Sequence, residues 1–312
     1  MLDKSIVTII EELREETSFD ASFFEKDWYT TQLLHTLAEI QDPRFQLVCS
    51  GGTSLSKGYQ LIQRFSEDID FKVVETQPGL TRTDRREFRR KIAEAINSLA
   101  PDLILSNTER FTRKEGTSFF NGEISYRPHF QLQSSLRDCI QLELNFRQPT
   151  LAPSIRQLSS IVTQFTKDPP EVAAFNCVSL AETAADKIGA LSWRVVGIDP
   201  AAPEYDPRLI RHLYDLYYLA PQVMNDPAWL NLTVATVEKD ITRSENASGY
   251  DNLTNRFKTS QDLLNRLIDK LGNNRLYREH YQDFVEDFTY GRSLSFDEAV
   301  ASLSDLIRRL IK

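Results

Sequence analysis

Hydrophobic positions along the chain follow two different periods, and the change of period outlines the predicted elements. Apolar side chains recur three or four residues apart over residues 5–16 and 22–40, a spacing typical of amphipathic helices. Asp42-Pro43 predicts the end of the second helix. The short apolar run that follows ends at Gly51-Gly52 and predicts a strand, and residues 53–63 again have helical character.

The stretch after residue 66 carries the most informative alternation. Asp68 and Asp70 alternate with two apolar residues, Ile69 and Phe71. On a strand, both acids would face one side while both apolar side chains enter a core. Two carboxylates on one strand face repel each other unless a cation lies between them, and oxygen-only ligands favour a hard divalent ion such as Mg²⁺. The alternative is a solvated strand end, which a lone Asp-x-Asp pattern would favour.

Gly51 and Gly52 supply a second feature of the same region. Glycines between a strand and a helix let the backbone approach a ligand closely, and N–H groups at a helix N-terminus bind anions such as phosphate. Lys57, about one turn further, could reach a phosphate or could be a solvated surface lysine. A P-loop is excluded because Ser56 stands where its second glycine belongs and Gly58 replaces its Ser or Thr. A phosphate-binding turn beside an acid pair indicates nucleotide chemistry.

Residues 81–100 form a predicted helix whose N-terminal half is strongly basic. In a protein with net charge −8, this half is the candidate surface for an RNA backbone, and a solvated helix face is the alternative. Its basic residues are Arg82, Arg85, Arg86, Arg89, Arg90 and Lys91.

The pattern over residues 102–146 alternates as antiparallel strands do, with turns predicted at Gly116 and at Asn121-Gly122. In the last of these strands the apolar residues share one face, and Glu143 lies on the other with its polar neighbours. The alternative for Glu143 is an outward-facing sheet glutamate. The predicted strands cover residues 103–105, 119–120, 123–126 and 138–146.

A segment that contains Pro and Ser, residues 149–170, predicts the boundary between two domains, 1–165 and 166–312. The second domain is predicted to be helical because its apolar positions keep helical spacing between Gly, Pro and capping residues. The fold class expected is α+β, with a mixed or antiparallel sheet in the first domain. The helices predicted after the boundary cover residues 180–195, 206–220, 228–240, 255–271, 276–288 and 296–311.

Composition adds limits to this picture. The 312 residues are 41% hydrophobic and 26% charged, as in an ordinary globular protein. Cys49 and Cys139 lie in apolar strand-like runs and predict buried thiols in a reducing compartment, while the absence of a Cys/His cluster argues against zinc. No apolar run has the length of a membrane span or of a signal peptide's core, so we expect a cytoplasmic protein with no membrane partner.

The order of diglycine, helix and Asp-x-Asp strand resembles the nucleotidyltransferase superfamily that includes DNA polymerase β. The fuller text GGTSLSKGY…RFSEDIDF is similar to one branch, the AbiEii/MenT-type nucleotidyltransferase toxins of bacterial type IV toxin–antitoxin systems. The segment Glu25-Lys26-Asp27-Trp28-Tyr29 resembles the family text EKDYW with its two aromatics exchanged. The superfamily takes a third carboxylate from a neighbouring strand, which Glu143 matches, and the resemblance makes Ser66 a candidate active-site hydroxyl.

Two later stretches resemble further motifs of this family. In the first, Lys187, Ala190-Leu191 and Arg194 match, and the charged pair lies seven residues apart, on one helix face. Such a pair could bind a triphosphate, or it could be an exposed pair on an amphipathic helix. The second motif, usually R-D-x-Y-D-L, has His212 in place of its first acid. Asp215 matches the second acid, which implies that it orients or deprotonates the acceptor or pairs with Lys187, and an ordinary ion pair is the alternative.

The resemblance implies an Mg²⁺- or Mn²⁺-dependent nucleotidyltransferase that moves an NMP from an NTP to an acceptor hydroxyl. It also implies the 3′ end of tRNA or another RNA as acceptor and a cognate antitoxin as partner. The alternatives are a nucleotide-binding regulatory or interaction protein without transferase activity, and a transferase that modifies a protein side chain. The implied roles are metal binding for Asp68, Asp70 and Glu143, nucleotide binding for Gly51, Gly52, Thr53, Ser54, Lys57, Ser66 and Arg194, and catalysis for Asp68, Asp70, Lys187 and Asp215.

Overall fold

A computed structural model describes residues 3–17, 19–113 and 118–311 of the chain. The chain divides into two compact units, Met1–Val178 and Ser179–Lys312. The domain boundary between residues 165 and 166 stays a prediction, and the sheet of the first unit continues beyond it. The predicted turn at Gly116 lies outside the described residues.

The first unit is built on a mixed sheet, as predicted. Its described strands have the order β3-β4-β5-β2-β1-β7-β6. Strand β2 runs parallel to β5 and antiparallel to β1, and β1 runs parallel to β7. The strands are β1 (Phe45–Ser50), β2 (Asp68–Glu75), β3 (Leu103–Leu105), β4 (Phe119–Tyr126), β5 (Cys139–Asn145), β6 (Ser154–Leu158) and β7 (Val172–Cys177).

Helices accompany this sheet, and their ends follow capping chemistry. The side chain of Asp20 accepts the Ser22 N–H at the start of the second helix, and Thr81 and Asp84 cap each other at the start of the basic helix. The helices are α1 (Lys4–Thr17), α2 (Ala21–Ala38), the single turn α3 (Gly51–Thr53), α4 (Arg82–Asn97), α5 (Thr108–Arg113) and α6 (Ile161–Thr166).

One face of the sheet forms the apolar core. On β5 the predicted alternation is confirmed, since Ile140, Leu142 and Leu144 are each 0% exposed while the residues between them are half-buried. Ile69 and Phe71 of β2 are buried on the same face. Burial of each such side chain contributes about 1.5–3 kcal/mol, so the alternation fixes which face of both strands stays open to other chemistry.

Several predicted elements differ from the structure. The turn at Asn121-Gly122 was wrong, because both residues lie inside β4. Gly122 is needed for packing, since a Cβ there would lie 2.8 Å from Leu105. The helix predicted over residues 53–63 is shorter, because α3 continues only as a π-helical turn, Ser54–Gly58. Cys49 is buried as predicted, whereas Cys139 is half-buried.

The second unit is helical throughout most of its described residues, as predicted. Its helix starts follow side-chain caps, for example Ser179 on the Glu182 N–H and Thr259 on the Asp262 N–H. The Thr259 cap places the start of one helix at Ser260, later than the predicted start at residue 255. The helices are α7 (Leu180–Gly197), α8 (Arg211–Val223), α9 (Pro227–Ile241), α10 (Ser260–Asn273), α11 (Arg275–Phe288) and α12 (Phe296–Ile311).

The core of this unit is formed by apolar side chains from several helices. Trp229 of α9, Leu267 of α10 and Tyr277 of α11 are each 0% exposed. Among the residues that the structure describes, none of the helices has both the length and the apolar character that a membrane span requires.

Candidate active site

Three acids project from the open face of the sheet in the first unit. Strands β2 and β5 run parallel with Asp70 opposite Glu143 and Asp68 opposite Gln141. Residues opposite each other on neighbouring strands point to the same face, and residues two apart on one strand do so too. Asp68, Asp70 and Glu143 therefore share one face, and all three are half-buried. The register thus sets Glu143 on the same sheet face as the Asp-x-Asp pair, although it lies more than 70 residues later in the sequence.

Gly51 lies directly against one of these acids. Its backbone has φ +69°, and a Cβ built on it would lie 2.0 Å from Asp70 Oδ2. The position therefore requires glycine both for its left-handed backbone and for the space that the carboxylate occupies. The diglycine turn and the Asp-x-Asp strand therefore pack directly against each other in the folded chain.

Hydroxyl groups of the turn bind the backbone of the acidic strand. Thr53 Oγ1 donates to the Asp68 carbonyl at 2.6 Å, and Ser50 Oγ donates to the Asp70 carbonyl at 3.1 Å. Ser54 Oγ donates within the turn, to the Gly51 carbonyl at 3.0 Å. The hydroxyls of Ser50 and Thr53 thus hold the turn on β2, and that of Ser54 stabilises the turn itself. Contact of Thr53 and Ser54 with a phosphate stays a prediction.

Ser66 lies beside the second glycine. A Cβ built on Gly52 would lie 2.9 Å from Ser66 Oγ and 2.4 Å from an Arg64 nitrogen. The structure therefore places the predicted hydroxyl next to the predicted phosphate-binding turn. The helix that follows the turn, α3, has only three residues, so the predicted anion site at a helix N-terminus has little helix behind it.

Asp68 has a partner that the sequence did not suggest. Arg137 Nη1 lies 2.7 Å from Asp68 Oδ1, and the two side chains are 28% and 32% exposed. Within the described residues, no three His, Cys, Asp or Glu side chains approach each other closely enough to hold a metal ion. The donor set still fits Mg²⁺ or Mn²⁺, because it consists of carboxylate oxygens on one face and one of them already binds a cationic group.

The second unit contains the other two predicted catalytic residues. Lys187 Nζ of α7 and Asp215 Oδ2 of α8 lie 2.6 Å apart, and their side chains are 6% and 0% exposed. Pairing with Lys187 is one of the roles expected for Asp215. Arg194 lies two turns further along α7, half-buried, with its guanidinium 5.3 Å from the ring centre of Trp193.

The sequence model of the nucleotidyl transferase AbiEii toxin family, type IV toxin–antitoxin system, matches residues 33–302. The chain belongs to this family. It is therefore a nucleotidyltransferase, as the resemblance implied.

A solved structure supports the fold of this AbiEii-family chain. MenT4, a nucleotidyltransferase toxin from Mycobacterium tuberculosis, is similar with a TM-score of 0.52 at 17% identity, over 99% of each chain. No curated protein sequence matches the chain significantly. At this identity the similarity shows the fold alone, which confirms the predicted fold class.

Lys57 is the predicted phosphate ligand that the structure places least favourably. Its side chain is 2% exposed, and its Nζ lies 2.5 Å from Asp27 Oδ1. The other oxygen of Asp27 accepts the Ile161 N–H at 2.8 Å. The buried pair fastens the π-helical turn to α2, while the contact of Lys57 with a phosphate stays a prediction.

The charged residues before and beside Asp27 fasten two more segments to α2. Lys26 Nζ lies 3.1 Å from Glu67 and 2.8 Å from the Arg137 carbonyl. Glu25 accepts the N–H groups of His129 and Phe130 at 2.6 and 3.1 Å. Burial lowers the pKa of Lys26, which Glu67 opposes, and burial raises the pKa of Glu25. The three residues of α2 that resemble the family motif, Glu25, Lys26 and Asp27, therefore position the segments around the acids.

The basic helix α4 uses several of its charges within the protein. Arg85 lies 2.6 Å from Glu75 Oε1, and Arg90 pairs with Glu94. Arg89 is buried, with its guanidinium 3.7 Å from the ring centre of Phe120. The RNA surface predicted on this helix stays a prediction, and these pairs explain part of its basic character without RNA.

Proposed function

We propose that this chain transfers an NMP from an NTP to an acceptor hydroxyl with the help of Mg²⁺ or Mn²⁺. The observation that carries the proposal is the register that sets Asp70 opposite Glu143, with Asp68 on the same face and Gly51 against Asp70. Neighbouring carboxylates on one sheet face repel each other, and a divalent cation that binds them would remove that repulsion.

The roles follow from the chemistry of each side chain. Asp68, Asp70 and Glu143 would hold the cation, which when bound neutralises phosphate charge and activates the attacking hydroxyl. Gly51 and Gly52 would bring the backbone of the turn close to Asp70 and Ser66, where the phosphates would bind, because a glycine has no side chain. All five residues belong to the first unit, the acids to one face of its sheet and the glycines to the turn beside it.

The roles of the second unit rest on the family motifs. Lys187 would neutralise charge on the leaving pyrophosphate, and Arg194 would bind phosphate oxygens with its planar fork. Asp215 would orient the acceptor, or would hold Lys187 in place through their buried pair. Substitution of each residue tests these roles separately from the acids of the sheet.

The acceptor and the partner are the finer part of the proposal. The resemblance supports the 3′ end of tRNA as acceptor, and the site of action that we expect is the cytoplasm. Membership of a type IV toxin–antitoxin family supports a cognate antitoxin as the controlling partner.

The test is label transfer in vitro. The protein is incubated with each of the four labelled NTPs, total tRNA and Mg²⁺ or Mn²⁺, and RNA and protein are then separated. We expect label on RNA, its loss in Asp70→Ala, and its retention in Glu123→Ala, which removes an exposed acid from the same sheet face. Sequencing of RNA 3′ ends then identifies the acceptor.

Two other outcomes would replace this proposal. Label on protein would show a side-chain acceptor, and NTP binding without any transfer would show a regulatory or interaction module. Equal transfer by the wild type and Asp70→Ala would contradict the role of the sheet acids.

A further inference from the structure

The backbone of Arg137, a half-buried arginine before β5, is held by two hydrogen bonds to buried charged side chains. Its backbone N–H donates to Glu67 Oε1 at 2.8 Å, and its carbonyl accepts from Lys26 Nζ at 2.8 Å. Lys26 and Glu67 themselves form a buried ion pair at 3.1 Å, with both side chains 3% exposed. The backbone of Arg137 is thus fixed on both sides by one buried pair.

The guanidinium group of Arg137, in contrast, stays accessible. It lies 2.7 Å from Asp68 Oδ1 and its side chain is 28% exposed. An ion pair that water can reach is weak and can exchange partners, whereas the buried pair beneath it cannot do so readily. Arg137 therefore has a fixed backbone and a guanidinium group that can move, and this group lies at Asp68, the first acid of the Asp-x-Asp strand.

We propose that Arg137 is a ligand of the nucleotide's phosphates that neutralises Asp68 until a divalent cation and its nucleotide bind. The inference rests on the proposed function, because it takes Asp68 as a metal ligand. It adds a residue that the sequence motifs do not include.

Charge balance gives the direction of the exchange. A divalent cation on Asp68 repels the guanidinium that occupies the same carboxylate, so Arg137 must leave when the cation binds. The anion that arrives together with the cation is the triphosphate. A guanidinium matches phosphate oxygens in geometry and charge, so it exchanges a carboxylate for a phosphate without any covalent step.

The exchange predicts two effects of opposite sign. Without the guanidinium, a cation alone has one competitor fewer for Asp68 and binds more tightly. The nucleotide loses a charged hydrogen bond and binds more weakly. A residue that only supported the fold would weaken both.

The experiment measures the two affinities separately in the full-length chain. Binding of Mn²⁺ alone is followed by loss of the free Mn²⁺ signal in electron paramagnetic resonance, and the KM of each NTP is measured by label transfer. For Arg137→Ala we expect Mn²⁺ binding tighter by about two- to fivefold. We expect the KM for the NTP to rise by about tenfold or more, and Arg137→Lys to fall between the wild type and Arg137→Ala.

Arg44→Ala is the matched control, because Arg44 also pairs with acids, at Asp42 and Asp84, and its side chain is 26% exposed. It should leave Mn²⁺ binding unchanged. Thermal unfolding of every variant checks that the fold is kept.

The outcomes separate this inference from the proposed function. If Asp70→Asn binds Mn²⁺ as well as the wild type does, the metal site fails and the proposed function fails with it. If Mn²⁺ binding depends on Asp70 while Arg137→Ala changes neither affinity, only the role of Arg137 is overturned. A rise in the KM for RNA with no change for the NTP would also overturn it, in favour of an RNA phosphate.

Discussion

The acids of the sheet face and the acids of the buried ion pairs differ in exposure. The Asp68 side chain is 32% exposed and its partner Arg137 is 28% exposed. Asp215 is 0% exposed against Lys187, and Asp27 is 8% exposed against Lys57. All of them are aspartates paired with a cationic side chain at 2.5–2.7 Å.

The difference shows what each group can do. A buried pair has lost most of its hydration, so neither partner can leave without a large cost, and the pair works as a fixed connection. A half-exposed acid keeps access to water and can exchange its partner for a metal ion. The open acids are therefore suited to bind ligands, whereas the Lys57–Asp27 pair is suited to fix the π-helical turn to α2 within the first unit.

Substitution at Asp215 gives the largest effect that the comparison predicts. Asp215→Ala leaves the ammonium group of Lys187 buried without its partner, and we expect the free energy of unfolding to fall by about 3–5 kcal/mol. Asp70→Asn, at a half-buried position of the sheet face, should change it by only about 1 kcal/mol or less. Urea unfolding of both variants measures the two changes.

The double variant Lys187→Met/Asp215→Leu is the control for this prediction. It replaces the buried pair by apolar side chains of similar volume, so most of the lost stability should return. Equal stability losses in Asp215→Ala and Asp70→Asn would show that exposure does not separate the two groups.

The sequence predicted the acids of the candidate site but not the partner of Asp68. The alternation of Ile140, Leu142 and Leu144 already placed Glu143 on the polar face of its strand, because side chains alternate along any strand. It could not show that Glu143 lies opposite Asp70, since register depends on contacts between distant segments. Arg137 was missed because the segment before β5 has no periodic pattern.

The strands missed by sequence analysis have a similar explanation. Strand β6 is largely open to solvent, and its Ile155 is 71% exposed, so it lacks the alternation that marks a half-buried strand. The helical half was predicted better, because helical spacing and capping residues are local signals. The burial of Lys57 and Lys187 could not be predicted, because the sequence pattern around a helical lysine is the same whether its side chain faces water or an aspartate.

Substitution of Gly51, which lies against the sheet face, should have an effect of intermediate size. In Gly51→Ala the new Cβ would lie 2.0 Å from Asp70 Oδ2, so the carboxylate must move and Mn²⁺ binding should be lost. Gly79→Ala is the matched control, because Gly79 also has a positive φ, +81°, but a Cβ there meets nothing within 4 Å. We expect a loss of about 1–2 kcal/mol from the backbone alone in Gly79→Ala and a larger loss in Gly51→Ala.

Label transfer and urea unfolding of these two glycine variants give the measurement. Gly79→Ala should keep transfer and Gly51→Ala should lose it. If both variants kept transfer, the contact between Gly51 and Asp70 would have no part in the site.

Glu25 gives the smallest effect and sharpens the comparison, since it is a buried acid held by backbone amides. Burial raises its pKa, and the N–H groups of His129 and Phe130 oppose the shift. Between the unfolded pKa of about 4.3 and the raised folded value, the folded state binds more protons, so this contribution to stability is complete below that range and declines as pH rises through it. In Glu25→Gln this side chain cannot ionise, so its contribution does not change with pH. Urea unfolding at successive pH values should therefore show the stability of the wild type, relative to Glu25→Gln, falling as pH rises, and a relative stability that rose instead would mean that the amides outweigh burial.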